Sequence, residues 1–139
     1  MRTTVDVFPH DQAVLDALRT IGRPVGFALA PDGALEGVRT RTGPDYLVLY
    51  PLNTARAGGL CDPYDEAELI YQVTAVGRTA DGVRWLVDQI EPALLGMSIP
   101  GRSVAWVQPD DDSGVRPDFD TTPPVLIATP RFRIKTVPS

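Results

Sequence analysis

The most regular pattern of apolar and polar positions lies in the middle of the chain, between positions 68 and 96. Every second residue from Leu69 to Ala75 is apolar, which predicts a strand with one buried face. The next segment repeats its apolar residues at helical spacing, and Thr79 and Gly96 are suited to its start and end. The predicted helical stripe consists of Val83, Leu86, Val87, Ile90 and Leu94.

Two residues of this predicted helix do not fit the stripe. Trp85 lies on the opposite side, where it either contacts another subunit or packs beneath a neighbouring loop. Pro92 removes the helical hydrogen bond to the carbonyl group of Asp88, so a kink is expected near that residue. The stripe therefore explains the packing of the helix but not its outer side.

Weaker patterns predict the rest of an α+β fold. A short amphipathic helix is expected over 9–21, and a run of aromatic and β-branched residues at 46–50 predicts a strand buried on both faces. Further strands are expected over 25–30, 101–107 and 124–137, the last of them interrupted at Pro130. Residues 108–121 are rich in aspartate and predict a flexible acidic loop. The chain length favours a single domain over residues 1–139.

Composition narrows the possible functions. The net charge of −5 has the wrong sign for a protein that binds nucleic acid by neutralising phosphates. The apolar runs are too short to cross a bilayer, so no membrane association is expected. Cys61 has no second cysteine to pair with, and one cysteine with one histidine is too few for a typical zinc site. No cofactor or metal is predicted.

Candidate catalytic residues all have simpler interpretations. His10 is predicted to be a solvated residue at a helix start, and Cys61 an inert loop cysteine. The aspartates at 110–112 lack the ligand spacing of a calcium loop, so a solvated acidic loop is favoured. No phosphate-binding glycine motif occurs. The chain is therefore not expected to be an enzyme.

Two charged patches are candidates for contacts with other proteins, and the basic one is interpreted as either a solvated or a partner-facing strip. Arg131, Arg133 and Lys135 alternate along the last strand, which puts three cations on one face while Phe132 and Ile134 lie on the other. An acidic patch lies at 62–68. The carboxylates proposed for subunit contact are Asp62, Asp65 and Glu66.

In the order and the amino-acid sequences of these segments, the chain resembles the tail terminator, or tail completion, proteins of long-tailed phages and prophages, especially those of actinobacterial hosts. The resemblance covers roughly residues 11–107 and consists of packing and turn residues. Its cues are YLVLYPL at 46–52, a glycine-containing loop leading to Tyr64, ELIYQVTAVG at 68–77 followed by Arg78 and Thr79, a helix over 80–96 containing WLVD, and PGR at 100–102.

This resemblance implies a mixed or antiparallel sheet packed by two main helices. It further implies a ring, expected to be a hexamer, that caps the head-proximal end of the tail tube and ends its polymerisation. The expected partners are other copies of the chain, the major tail tube protein and the head connector, with DNA only as passing cargo. The expected location is the neck of the virion tail, after assembly in the host cytoplasm.

Ring formation requires two different complementary patches on each subunit. Trp85, Trp106 and the two charged patches are the candidates, with the acidic patch expected to pair with Arg131, Arg133 and Lys135 of the next subunit. Two alternatives remain. The chain could be a head-tail adaptor or another neck protein, or, as the less favoured reading, a small hydrolase that uses carboxylates.

Overall fold

A computed structural model describes residues 7–55, 67–111 and 114–138 of the chain. These residues form three helices and one mixed sheet of seven strands, which confirms the predicted α+β fold. The helices are α1 (Val7–Arg19), α2 (Ala34–Thr40) and α3 (Ala80–Leu95). The strands are β1 (Val25–Phe27), β2 (Tyr46–Ala55), β3 (Ala67–Gly77), β4 (Arg102–Asp111), β5 (Arg116–Asp118), β6 (Val125–Ala128) and β7 (Arg131–Pro138).

Strand β3 is the centre of the sheet. One of its edges pairs antiparallel with β2, which pairs in parallel with β1. Its other edge is shared, because β7 pairs with residues 67–72 and β6 with residues 75–77. Strand β4 lies outside β7, and β5 lies outside β6. Strands β1, β4 and β5 are therefore the outer strands of the described sheet.

The main core lies between the sheet and helices α1 and α3. Alternate residues of β3, from Leu69 to Ala75, are buried in it, as the period of two predicts. In α3 the stripe residues Val83, Leu86, Ile90 and Leu94 are fully buried, and Val87 packs against them. The Oγ1 atom of Thr79 accepts a hydrogen bond of 3.0 Å from the backbone N–H of Gly82, so the predicted N-cap is confirmed.

A second, smaller core lies on the opposite face of the sheet, beneath α2. Val38 of this helix is buried among side chains of β2, β3 and β6. The glycine- and threonine-rich sequence around α2 gave no helical pattern, since one buried residue is too few to create a periodicity. The two cores together bury consecutive residues of β2 on both faces, as predicted for 46–50: Leu47 and Leu49 on one face, Tyr46 and Val48 on the other.

The C-terminal part differs from its prediction in one respect. The interruption at Pro130 is confirmed, because it separates β6 from β7. The flexible loop expected over 108–121 is wrong for the two segments that form strands, since β4 continues to Asp111 and β5 spans Arg116–Asp118. The backbone there pairs with β7 and β6 while exposed side chains remain in solvent.

Two further sequence expectations concern the helices. Helix α3 is continuous from Ala80 to Leu95 with Pro92 inside it, and the kink near Asp88 stays a prediction. Within the described ranges, no helix has the length and apolar character needed to span a bilayer.

Candidate interaction surface

Helix α2 covers only one corner of its side of the sheet, and the remainder of that side is uncovered by any other described helix. We call this uncovered part the open face. Cross-strand pairing arranges it in rows, one of which runs from Trp106 through Lys135 to Glu68. The open face consists of Tyr50, Glu68, Ile70, Gln72, Thr74, Trp106, Gln108, Asp110, Arg131, Arg133 and Lys135.

The cationic strip of β7 lies on the open face as its alternation predicts, with Phe132 and Ile134 buried behind it. Arg133 is held by two carboxylates of the same chain. Its Nη1 atom lies 3.6 Å from Oε2 of Glu68, and its Nη2 atom lies 3.4 Å from Oδ1 of Asp110. Glu68, at the end of the acidic patch, therefore contacts Arg133 within its own chain, and pairing of the patch with another subunit stays a prediction.

The neighbouring members of the strip differ in their surroundings. Arg131 is exposed, and in the described parts of the chain its guanidinium group makes neither a hydrogen bond nor an ion pair. Lys135 is partly buried between Trp106 and Glu68. The proposed contact residues Asp62, Asp65 and Glu66, and also Cys61, lie outside the described residues.

The two tryptophans lie on opposite sides of the sheet. Trp106 belongs to the open face and is partly buried. Trp85 projects from the solvent side of α3 with 44% of its surface exposed. The guanidinium carbon of Arg23 lies 5.1 Å from the Trp85 ring centroid, which is a cation–π geometry. Arg23, in the connection between α1 and β1, therefore lies over the Trp85 ring, and a subunit contact through Trp85 stays a prediction.

A buried polar network joins α1 to the C-terminal strands. His10 is only 2% exposed, and its Nε2 atom lies 2.8 Å from Oγ1 of Thr136. Nε of Arg102 donates to the same hydroxyl at 3.0 Å. The prediction that His10 is solvated is therefore wrong. Its spacing of four residues from Val14 places it on the buried stripe of α1, and this spacing is the sequence signal for its burial.

A second polar contact also crosses the core. The hydroxyl group of the buried Tyr71 donates a hydrogen bond of 2.6 Å to Oδ1 of Asp11. Burial raises the pKa of Tyr71 far above its usual value, and the hydrogen bond to Asp11 raises it further. Burial also raises the pKa of Tyr46, with a smaller contribution from Tyr50. Both hydroxyl groups therefore keep their protons to a higher pH in the folded chain than in the unfolded chain.

The free energy of unfolding should consequently fall as the pH rises above about 10. The unfolded chain releases the tyrosine proton there whereas the folded chain keeps the proton of Tyr71, so the slope from Tyr71 approaches about −1.4 kcal/mol per pH unit. Tyr46 contributes in the same direction. Urea unfolding between pH 8 and 11 measures this slope. Tyr71→Phe should remove the contribution of one tyrosine and so make the pH dependence of the free energy of unfolding less steep. An unchanged slope would contradict the assignment to Tyr71.

Among the described residues, no three histidine, cysteine, aspartate or glutamate side chains converge as a metal site requires. No family model matches the chain, and no curated protein is significantly similar to it. The observations that bear on function are therefore the fold, the open face and the sequence resemblance.

Proposed function

We propose that the chain is a structural protein of phage tail assembly. In this proposal, copies of the chain form a ring on the head-proximal end of the tail tube, where the ring ends polymerisation and provides the joining surface for the head connector. The proposal rests on the sequence resemblance to tail terminator proteins and on the fold, which is the α+β fold that the resemblance implies.

The open face is the observation that carries the proposal. Tryptophan, tyrosine and arginine are the residue types most enriched at the centres of protein interfaces. The open face combines Trp106 of β4, Arg131 of β7 and Tyr50 of β2 on one sheet, with β3 between the last two strands. Backbone pairing fixes their spacing, so little conformational entropy would be lost on binding.

The size of the chain is compatible with a ring. Its solvent-accessible surface is 7635 Å². A standard interface covers about 800 Å² on each partner, so two ring contacts would cover about a fifth of the surface. A further contact with the tube would still leave most of the surface in solvent.

The proposal is tested by mixing the purified chain with the tail tube protein encoded in the same genome. Negative-stain microscopy should show rings, and tubes grown with the chain should be shorter and capped at one end. Trp106→Ala should reduce capping about tenfold or more, because it removes a large aromatic side chain from the open face.

Gln108→Ala is the matched control, since it truncates a neighbouring exposed side chain of the same strand without removing an aromatic ring. Thermal unfolding establishes that both variants fold. A chain that forms no ring and leaves tube length unchanged would defeat the proposal. The gene should also lie just upstream of the gene for the major tail tube protein.

A further inference from the structure

A groove lies beside α1 and the outer strand β1, on the helix-covered side of the sheet. Its volume is about 260 Å³, and it is lined by Asp11, Gln12, Leu15 and Phe27. Phe27 is 43% exposed although it is aromatic, and Leu15 is only partly buried. The groove therefore presents two apolar walls and one carboxylate to solvent.

The carboxylate of Asp11 is held in a fixed position. Its Oδ1 atom accepts the 2.6 Å hydrogen bond from the buried Tyr71 hydroxyl. Asp16, about one helical turn further on, already contacts Arg19 at 3.4 Å and Gln12 at 2.9 Å. Among the described residues, Asp11 has no ion pair, and it is the carboxylate that lines the groove. A cation on an aliphatic stem would match both the charge and the apolar walls.

The chain carries such a cation on the other side of the sheet. Among the described arginines, the guanidinium groups of Arg41, Arg84 and Arg131 make neither a hydrogen bond nor an ion pair. Arg84 belongs to α3, on the same side of the sheet as the groove, and Arg41 lines a different pocket with Arg78 and Asp45. Arg131 lies on the open face.

A head-to-tail contact joins two different patches of the subunit, and the two must be far enough apart for one copy to bind two neighbours. The groove and Arg131 meet this requirement, and their charges are complementary. We propose that the Asp11 groove of one copy binds the side chain of Arg131 of a second copy. This inference rests on the ring-forming part of the proposed function and names the contact that would build the ring.

The charges are removed one at a time with Asp11→Asn and Arg131→Gln. Asparagine keeps an amide oxygen that accepts from Tyr71, so the fold is preserved. Each variant should weaken self-association about tenfold in sedimentation equilibrium, as expected for a charged hydrogen bond. The double variant should be about as weak as either single variant, because both changes remove the same contact.

Mixing the two single variants gives a stricter test. The intact groove of the Arg131→Gln chain should bind the intact arginine of the Asp11→Asn chain with wild-type affinity. Growth should then stop at two subunits, because the remaining groove and side chain are both altered. Arg84→Gln is the matched control and should leave the association constant unchanged.

Additive losses in the double variant, or no heterodimer in the mixture, would overturn the inference. If both single variants still form rings and cap tubes as well as the wild-type chain, the inference is overturned while the proposed function stands. If instead the variants behave as expected but wild-type rings or filaments leave tubes unaffected, the inference holds and the tail function fails.

Discussion

Gly26→Ala is expected to destabilise the fold by about 3 kcal/mol or more, the largest loss among the substitutions considered. A Cβ atom at this position would lie 1.9 Å from the backbone oxygen of Leu29 and 2.9 Å from Cδ of Pro31. Neither atom belongs to a flexible side chain, so the turn that follows β1 would have to move. This movement would disturb the pairing of Gly26 with Val48 and displace Phe27 from the groove.

Urea unfolding followed by circular dichroism measures the effect, with Gly33→Ala as the matched control. Gly33 has a φ angle of 72°, and a Cβ atom there would meet no atom within 4 Å. Gly33→Ala should lower the free energy of unfolding by only about 1–2 kcal/mol, the cost of placing alanine in a left-handed conformation. Gly26 does not have a positive φ angle, so a loss no larger than that of Gly33→Ala would show that a small local movement relieves the clash.

Sequence patterns predicted those elements whose packing is periodic over many residues. Strand β3 and helix α3 each contain four or more apolar residues at a constant spacing, so their boundaries were predicted to within one residue. The cap at Thr79 depends on residues three positions apart and was also predictable. These features are local in the chain, and neighbouring residues therefore carry the information.

Other features depend on contacts between residues that are distant in sequence. The acidic segment after Val107 has no apolar alternation, yet it becomes part of β4 because β7 offers its backbone for pairing. The open face likewise requires β4, β7 and β3 to lie side by side. The cationic strip on β7 was predictable from its alternation. The ion pairs of Arg133 with Glu68 and Asp110 were not.

The groove of the proposed subunit contact shows the same limit. Asp11 and Tyr71 are 60 residues apart, and only the packing of α1 on the sheet brings the carboxylate to the hydroxyl. The sequence identified Arg131 as a surface residue but gave no sign that Asp11 is held by a buried tyrosine. The structure, and not the sequence, therefore supplied the contact between Asp11 and Tyr71.

The second large effect is expected at Thr136, whose hydroxyl group links three elements. Oγ1 lies 2.8 Å from Nε2 of His10 in α1 and accepts a hydrogen bond of 3.0 Å from Nε of Arg102 in β4. Thr136 itself is completely buried in β7. Thr136→Val keeps the shape of the side chain but removes both hydrogen bonds, one of them to a charged group. We expect a loss of about 2–4 kcal/mol in the free energy of unfolding.

Thr136→Ser distinguishes the contribution of the hydroxyl group to stability from that of the methyl group. Serine keeps the hydrogen-bonding oxygen and loses one methyl group, so it should cost only about 1 kcal/mol. In a double-mutant cycle, His10→Leu combined with Thr136→Val should lose less than the sum of the two single changes, because both remove the contact between His10 and Thr136. If valine is tolerated as well as serine, the hydroxyl group contributes nothing to holding α1 against β4 and β7.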